Sequence, residues 1–179
     1  MTHIRQATPK DADRLVHLSQ QTFFEAFAAD NDPADMEYYL AEVLSPERIC
    51  SELMADASIF LLLSHNAESP PIGYARLLGN SSEPCVTGTH LIELVRLYIQ
   101  KSAIGQGYGS QLMWACLEKA RQHGFKTIWL GVWEKNYRAQ RFYQRWGFRQ
   151  VGTHEFVLGK NKQTDFILMR TVETKDAAK

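Results

Sequence analysis

Apolar positions change period several times along this chain, and each change marks an element. Over residues 91–99 they alternate, with Leu91, Glu93, Val95, Leu97 and Ile99 on one face and Ile92, Leu94, Arg96 and Tyr98 on the other. That is the spacing of a β-strand. A turn follows with Gly105, Gly107 and Gly109, and beyond it the period lengthens: Leu112, Met113, Cys116, Leu117 and Ala120 share one side of a helix, leaving Gln111, Glu118, Lys119 and Arg121 for solvent. Gly124 ends this helix as its C′ residue.

The same reading covers the rest of the chain. Residues 3–7 form a short first strand, and Thr8, Pro9 and Asp11 supply an N-cap, a proline at the first helical position and an acid at the third for helix one. Further helices start at Asn31 or Asp32, before Pro33, and at Ser45, before Pro46. Residues 58–63 and 72–78 read as a hairpin, and 79–88 as a loop into the strand described first. Residues 127–132, TIWLGV, are apolar enough for the middle of a sheet. Asn136 caps a helix with Ala139, Phe142, Tyr143 and Trp146 near one face, ended by Gly147. Residues 148–158 and 164–172 form a closing hairpin turned at Gly159, Lys160 and Asn161. One domain over residues 1–172 is expected, with 173–179 a frayed tail.

Composition narrows the function classes. Twenty Lys plus Arg balance twenty Asp plus Glu, so no global positive field draws in nucleic acid or an anionic membrane. The N-terminus lacks a signal-peptide pattern, and no apolar run approaches the ~20 residues of a membrane span. Cys50, Cys85 and Cys116 form no CxxC pair, which suits reduced thiols. A soluble, cytoplasmic protein is expected. The histidines have no HExxH or Cys/His spacing, so no metal site is expected.

The glycine turn carries candidate chemistry. Residues without Cβ at alternate positions let backbone N–H groups converge on an anion, and the following helix adds its positive N-terminus, which together suit a phosphate or pyrophosphate. A plain strand-to-helix connection is the alternative. A P-loop is excluded because no Gly-Lys-Ser/Thr follows. The dinucleotide fingerprint is weakened by Ser110 where Gly or Ala belongs, although Glu134 could imitate its ribose-binding acid.

AIGQGYG leading a helix and NYRAQRFYQRWGF after the following strand together resemble the GNAT superfamily of N-acetyltransferases. The second motif is similar to that family's signature at Asn136, Ala139, Phe142, Tyr143, Gly147 and Phe148. TFFEAF, ELVRLYI, IWLGVWEKN and HEFVLGKNKQTDFILM look, more narrowly, like bacterial PaiA-type spermidine/spermine acetyltransferases. The resemblance implies an α/β fold with a mixed, mostly antiparallel central sheet flanked by helices and two splayed central strands. It also implies acetyl-CoA as cofactor and a small-molecule amine as acceptor. Cofactor contacts would fall on Leu97, Tyr98 and Ile99 along the strand, on the loop residues Ile104, Gly105, Gln106, Gly107, Tyr108, Gly109 and Ser110, and on Asn136 and Tyr143. One departure is Ile104, where the family usually has Arg or Gln.

Acyl transfer from a thioester to an amine needs a neutral amine, a polarised carbonyl and a proton for the departing thiolate. Tyr143 is the candidate acid, since a phenol of pKa about 10 stays protonated at neutral pH; the alternative is a core tyrosine. Glu93 is the candidate base, or else half of a cross-strand ion pair with Arg76 or Arg96; His154 and His90 are reserves. Trp129 and Trp133 suit core and pocket wall. Residues 22–44 gather Glu25, Asp30, Asp32, Asp35, Glu37 and Glu42 among aromatics, with no Lys or Arg between Arg14 and Arg48. In the fold that the resemblance implies, these helices border the acceptor cleft, so acceptor contacts are expected from Phe27, Glu37, Tyr38, Trp133 and His154, holding a polyamine-like cation; an acidic, solvated helix face is the alternative. A catalytically silent acyl-CoA-binding module, a protein or amino-acid amine as acceptor, and a dinucleotide-dependent oxidoreductase stay open. The resemblance also implies a homodimer.

Overall fold

In the computed structural model, which describes residues 2–172, strand β1 (His3–Gln6) leads into three helices, α1 (Ala12–Phe27), α2 (Pro33–Glu42) and α3 (Pro46–Met54). Then come β2 (Ser58–Ser64), β3 (Pro71–Gly79), β4 (Leu91–Ile99), α4 (Tyr108–Gln122), β5 (Thr127–Trp133), α5 (Tyr137–Arg145), β6 (Arg149–Leu158) and β7 (Asn161–Thr171). The expected frayed tail lies outside the described residues. Local capping explains the helix starts: the Asp32 carboxylate accepts the Ala34 N–H at 2.8 Å, Ser45 Oγ accepts that of Arg48 at 3.2 Å, and each is followed by proline. Ahead of α1, the Asp11 carboxylate accepts the Thr8 N–H at 2.9 Å and pairs with Arg5, while residues 9–11 form a 3₁₀ turn, so the α-helix itself starts later than the Thr8 cap implies.

Among the described residues, seven strands form one sheet in the order β1-β2-β3-β4-β5-β7-β6. Every neighbouring pair is antiparallel except β4 and β5. One face packs on α4, where Leu112, Met113 and Cys116 meet Leu61, Leu63, Ile92, Leu94, Ile128 and Leu130. The other packs on the N-terminal helices, with Leu15, Phe23 and Ile49 against Phe60, Leu62 and Tyr74. Burying an aliphatic or aromatic side chain contributes about 1.5–3 kcal/mol, so two filled faces hold the sheet rigid.

Strict alternation along β4 fails at one place. Arg76 of β3 pairs with Arg96, but the next residue, Leu77, pairs with Leu94, leaving Val95 as an extra residue in a β-bulge. Side-chain parity flips there. Ile92 and Leu94 are in the α4-side core, and so are Leu97 and Ile99, whereas Tyr98 packs on the other side with Phe23 and Tyr74. Glu93 thus shares the face of Arg96 and Tyr98, not that of Leu97 and Ile99.

Arg96 and Arg76 point to one carboxylate. Glu52 of α3 accepts both Arg96 guanidinium nitrogens and lies 2.8 Å from Arg76, and all three side chains are about nine-tenths buried. The cross-strand partner expected for Glu93 is therefore taken by Glu52. Removing one member of such a buried group costs about 3–5 kcal/mol, because it strands uncompensated charge.

Candidate active site

The site begins where two strands part. β4 and β5 pair over only three positions, Leu91 with Thr127, Ile92 with Ile128 and Glu93 with Trp129. Beyond these, β4 stays paired to β3 as far as Ile99 and β5 to β7 as far as Trp133. The bulge at Val95 sits at the parting and bends its strand, a physical reason for the split. Two facing strand edges then carry backbone N–H and C=O groups free to pair with an extended ligand. Between them opens a cavity of about 880 Å³, lined by Glu93, Leu97, Tyr98 and Ile99 from β4, by Gly131 and Trp133 from β5, and by α1, α5, β6 and β7.

At one end of the cavity lies the glycine loop. Gly105 and Gly107 have φ of +87° and +83°, a region that favours glycine, and Gly107 is the N-cap of α4. Its carbonyl accepts the N–H groups of Ser110 and Gln111 at 3.1 and 3.2 Å, while the N–H groups ahead of these are among those that a helix start leaves unsatisfied. A Cβ at Gly105 or Gly107 would meet nothing within 4 Å, so internal packing does not require glycine at either place. Gly109 differs: a Cβ there would lie 3.7 Å from the Phe142 ring, so its smallness also lets α4 approach α5. Ile104 and Ser110 line the cavity. The side chain of Gln106 donates to the Ser102 carbonyl at 3.2 Å and that of Tyr108 lies 3.1 Å from His65 Nδ1, and neither residue lines the cavity.

Sequence reasoning missed the cationic side chains here. Lys101, Arg138 and Arg145 also line the cavity. The two arginines occupy the variable positions of the Asn136–Phe148 motif, which is why a motif match alone did not single them out. Backbone N–H groups at a helix N-terminus beside three cations, opening into a split between strands, fit acetyl-CoA: the loop suits the pyrophosphate, and the free strand edges suit an extended amide-bearing arm.

Each expected chemical residue has a definite place. Asn136 caps α5, its side chain accepting the Ala139 N–H at 3.1 Å, and it lines the cavity. Tyr143 is half-buried on α5, its ring edge-on to Phe142 and Phe148 at 5.4 and 5.7 Å, and it lines the cavity as well. Burial pushes its phenol well above the usual tyrosine range. Glu93 lies at the parting and accepts the Ser81 hydroxyl at 2.6 Å. Trp129 is core and donates Nε1–H to the Ser81 carbonyl at 3.1 Å; Trp133 is cavity wall. His154 lines the cavity between Glu83 and Asp165, at 3.6 and 3.8 Å. His90 is exposed on the loop before β4 and lines no part of the cavity.

The acceptor side departs from expectation in two respects. Phe27 lines the cavity, with Tyr98 and Trp133 at centroid distances of 6.3 and 6.2 Å, but Glu37 and Tyr38 do not, and Tyr38 is 59% exposed. Helix α2 buries Met36 and packs Tyr39 and Leu40 inward, which turns the two intervening positions outward. The acidic segment is also dispersed. Asp32 caps α2, Asp35 accepts the Lys160 N–H at 3.0 Å, and Asp30, Glu37 and Glu42 are exposed. Only Glu25 of that group lines the cavity, where it accepts the Lys101 N–H at 2.7 Å. The remaining cavity acids are Glu93 and Asp165, the latter not singled out by sequence.

Among the described residues no helix is long and apolar enough to cross a membrane, and no group of three His, Cys, Asp or Glu is placed to hold a metal. Residues 13–148 match the Acetyltransferase (GNAT) family. The chain is 32% identical to an uncharacterized N-acetyltransferase of Lactobacillus delbrueckii subsp. lactis, over 94% of this chain and 96% of that one. It is 25% identical to a protein of Bacillus subtilis subsp. natto named a probable spermine N(1)-acetyltransferase, over 74% of this chain and 90% of that one. In fold it is similar to the crystal structure of the PaiA N-acetyltransferase from Thermoplasma acidophilum in complex with coenzyme A, with a TM-score of 0.75, 20% identity, and coverage of 96% of this chain and 99% of that one. The match over most of the chain establishes that this protein belongs to the GNAT family of acetyl-CoA-dependent N-acetyltransferases.

Proposed function

We propose that the acceptor is a flexible cationic amine of the polyamine type. The observation that carries this is the character of the cavity wall: carboxylates Glu93 and Asp165 line it together with the rings of Phe27, Tyr98 and Trp133. Carboxylates attract ammonium groups, and aromatic faces suit both a cation and the methylene stem between cations. The one arginine on this part of β4, Arg96, is engaged by Glu52.

Bound acetyl-CoA supplies the acetyl group as a thioester. The chain's own residues do the rest. The loop N–H groups with Lys101, Arg138 and Arg145 bind the phosphates. Free N–H groups of the β4 edge orient the arm and are of the kind that polarises a thioester carbonyl. Glu93 takes a proton from the ammonium, directly or through water, and the Ser81 hydroxyl fixes its carboxylate. Tyr143 holds a proton at its hydroxyl for the departing sulfur.

The test is acceptor preference. kcat/KM for spermidine should exceed that for a monoamine of similar length, and the excess should shrink as salt rises, because screening weakens attraction at the open parts of the cavity. Equal efficiency for both, independent of salt, would remove the polyamine assignment while leaving the acetyltransferase.

A further inference from the structure

The charged side chains of the cavity are not equally satisfied. Arg96 is held by Glu52, Glu25 accepts from the Lys101 N–H and from Gln21, and Glu93 accepts from Ser81. Asp165 is different. Its side chain is 15% exposed, Oδ2 has only His154 Nε2 at 3.8 Å, longer than a hydrogen bond, and Oδ1 is buried with no hydrogen-bond partner. A buried carboxylate oxygen left without a donor is costly and calls for an explanation.

Its surroundings supply one. Asp165 pairs across the sheet with Trp133 on one side and with His154 on the other. Gly131, two residues before Trp133, leaves room above the pair: a Cβ there would come within 3.3 Å of Asp165 Oδ2 and 3.6 Å of His154 Nε2. Glu83 on the far side of His154, at 3.6 Å, holds the imidazole between two acids. The carboxylate thus lines the aromatic-walled cavity, and no donor among the described residues lies within hydrogen-bond distance of either of its oxygens. Glu93, by contrast, stands at the parting of β4 and β5, four residue pairs along β5 from the register of Asp165, so the two acids suit two separate nitrogens of one extended molecule.

We infer that Asp165 is the specificity-determining residue for the acceptor, its carboxylate binding a second ammonium group of a diamine or polyamine whose first nitrogen reacts beside Glu93. This rests on the cationic-acceptor reading above, and it adds what that reading lacks: a requirement for two charged nitrogens and the side chain that imposes it.

The experiment compares kcat/KM for putrescine and for butylamine, which share a carbon chain and differ by one amino group, in the wild type and in Asp165→Asn and Asp165→Glu, each checked for folding by thermal melting. The wild type should prefer putrescine. Asp165→Asn should reduce the ratio of the two efficiencies about ten- to hundredfold, the scale of a lost hydrogen bond to a charged group, mainly through KM for putrescine. Asp165→Glu, which keeps the charge, should retain more of the ratio than Asp165→Asn. A wild-type ratio near unity overturns the cationic-acceptor reading and this inference together. A wild-type preference for putrescine that survives in folded Asp165→Asn overturns this inference alone.

Discussion

Glu93 and Trp129 are the last residues at which β4 and β5 face each other as partners, and one loop residue secures both: Ser81 donates its hydroxyl to the Glu93 carboxylate and accepts the Trp129 indole N–H at its carbonyl. The split between the strands therefore starts at a pinned point. A carboxylate held at that point is rigid relative to both strand edges, which is what a proton acceptor for an incoming amine requires.

Glu93→Gln should lower kcat by roughly 10²–10⁴ with little change in acetyl-CoA affinity, because the amide keeps the Ser81 contact but accepts no proton. Steady-state rates and calorimetric titration are the measurements. A near-wild-type kcat would mean that the amine is deprotonated in solvent.

Tyr143→Phe should lower kcat by roughly 10²–10⁴ with little change in acetyl-CoA affinity, since only the donated proton is lost. Burial raises the phenol's pKa above the usual tyrosine range, so Tyr143 stays protonated throughout the working pH range and should contribute no basic limb near neutrality. A near-wild-type kcat would return Tyr143 to a packing role against Phe142 and Phe148.

Local chemistry was legible in the sequence, and non-local geometry was not. The caps at Asp32, Ser45 and Asn136, the left-handed glycines of the loop and the two hairpins follow from residues within a few positions of one another. The bulge at Val95 left no such signal, because any of several apolar residues can occupy the extra position, and missing it put Glu93 on the wrong face. The acids of residues 22–44 read as one negative patch, yet helix periodicity and capping send most of them away from the cavity. Asp165 went unnoticed because its meaning comes from strand order: β7 inserts between β5 and β6, which sets Asp165 between Trp133 and His154. The Glu52 pairing with Arg76 and Arg96 is equally non-local.

Gly107→Ala should weaken acetyl-CoA binding while leaving the fold intact. An L-residue in the left-handed region costs about 1–2 kcal/mol, and a Cβ at Gly107 meets no atom of the chain, so any loss of affinity beyond the strain reports the approach of the ligand. Gly124→Ala is the control: φ there is +78°, a Cβ is equally free, and the residue lies at the opposite end of α4. Both variants should melt earlier by similar amounts, and only Gly107→Ala should lose affinity in calorimetric titration. Equal affinities in the two would remove the loop from the binding site.

Asp165→Asn should stabilise the protein in the absence of acceptor, and the gain should depend on pH. Burial raises the Asp165 carboxyl above the ordinary aspartate pKa, with His154 opposing the shift and Glu134 adding to it. The folded state therefore binds a proton that the unfolded chain releases at lower pH. Stability from this group is fully present below the unfolded aspartate pKa of about 3.9 and is lost as pH rises through the higher folded value. Asparagine has no such titration. Melting temperatures of the two proteins should converge at acid pH and separate toward neutrality, with the variant the more stable, while the same substitution reduces selection for a second ammonium. A cationic acceptor bound beside Asp165 should reverse the order, since it stabilises the wild type at neutral pH by its binding free energy and the variant less. Parallel melting curves across pH, with no separation, would mean that the carboxyl is not held in a desolvated place.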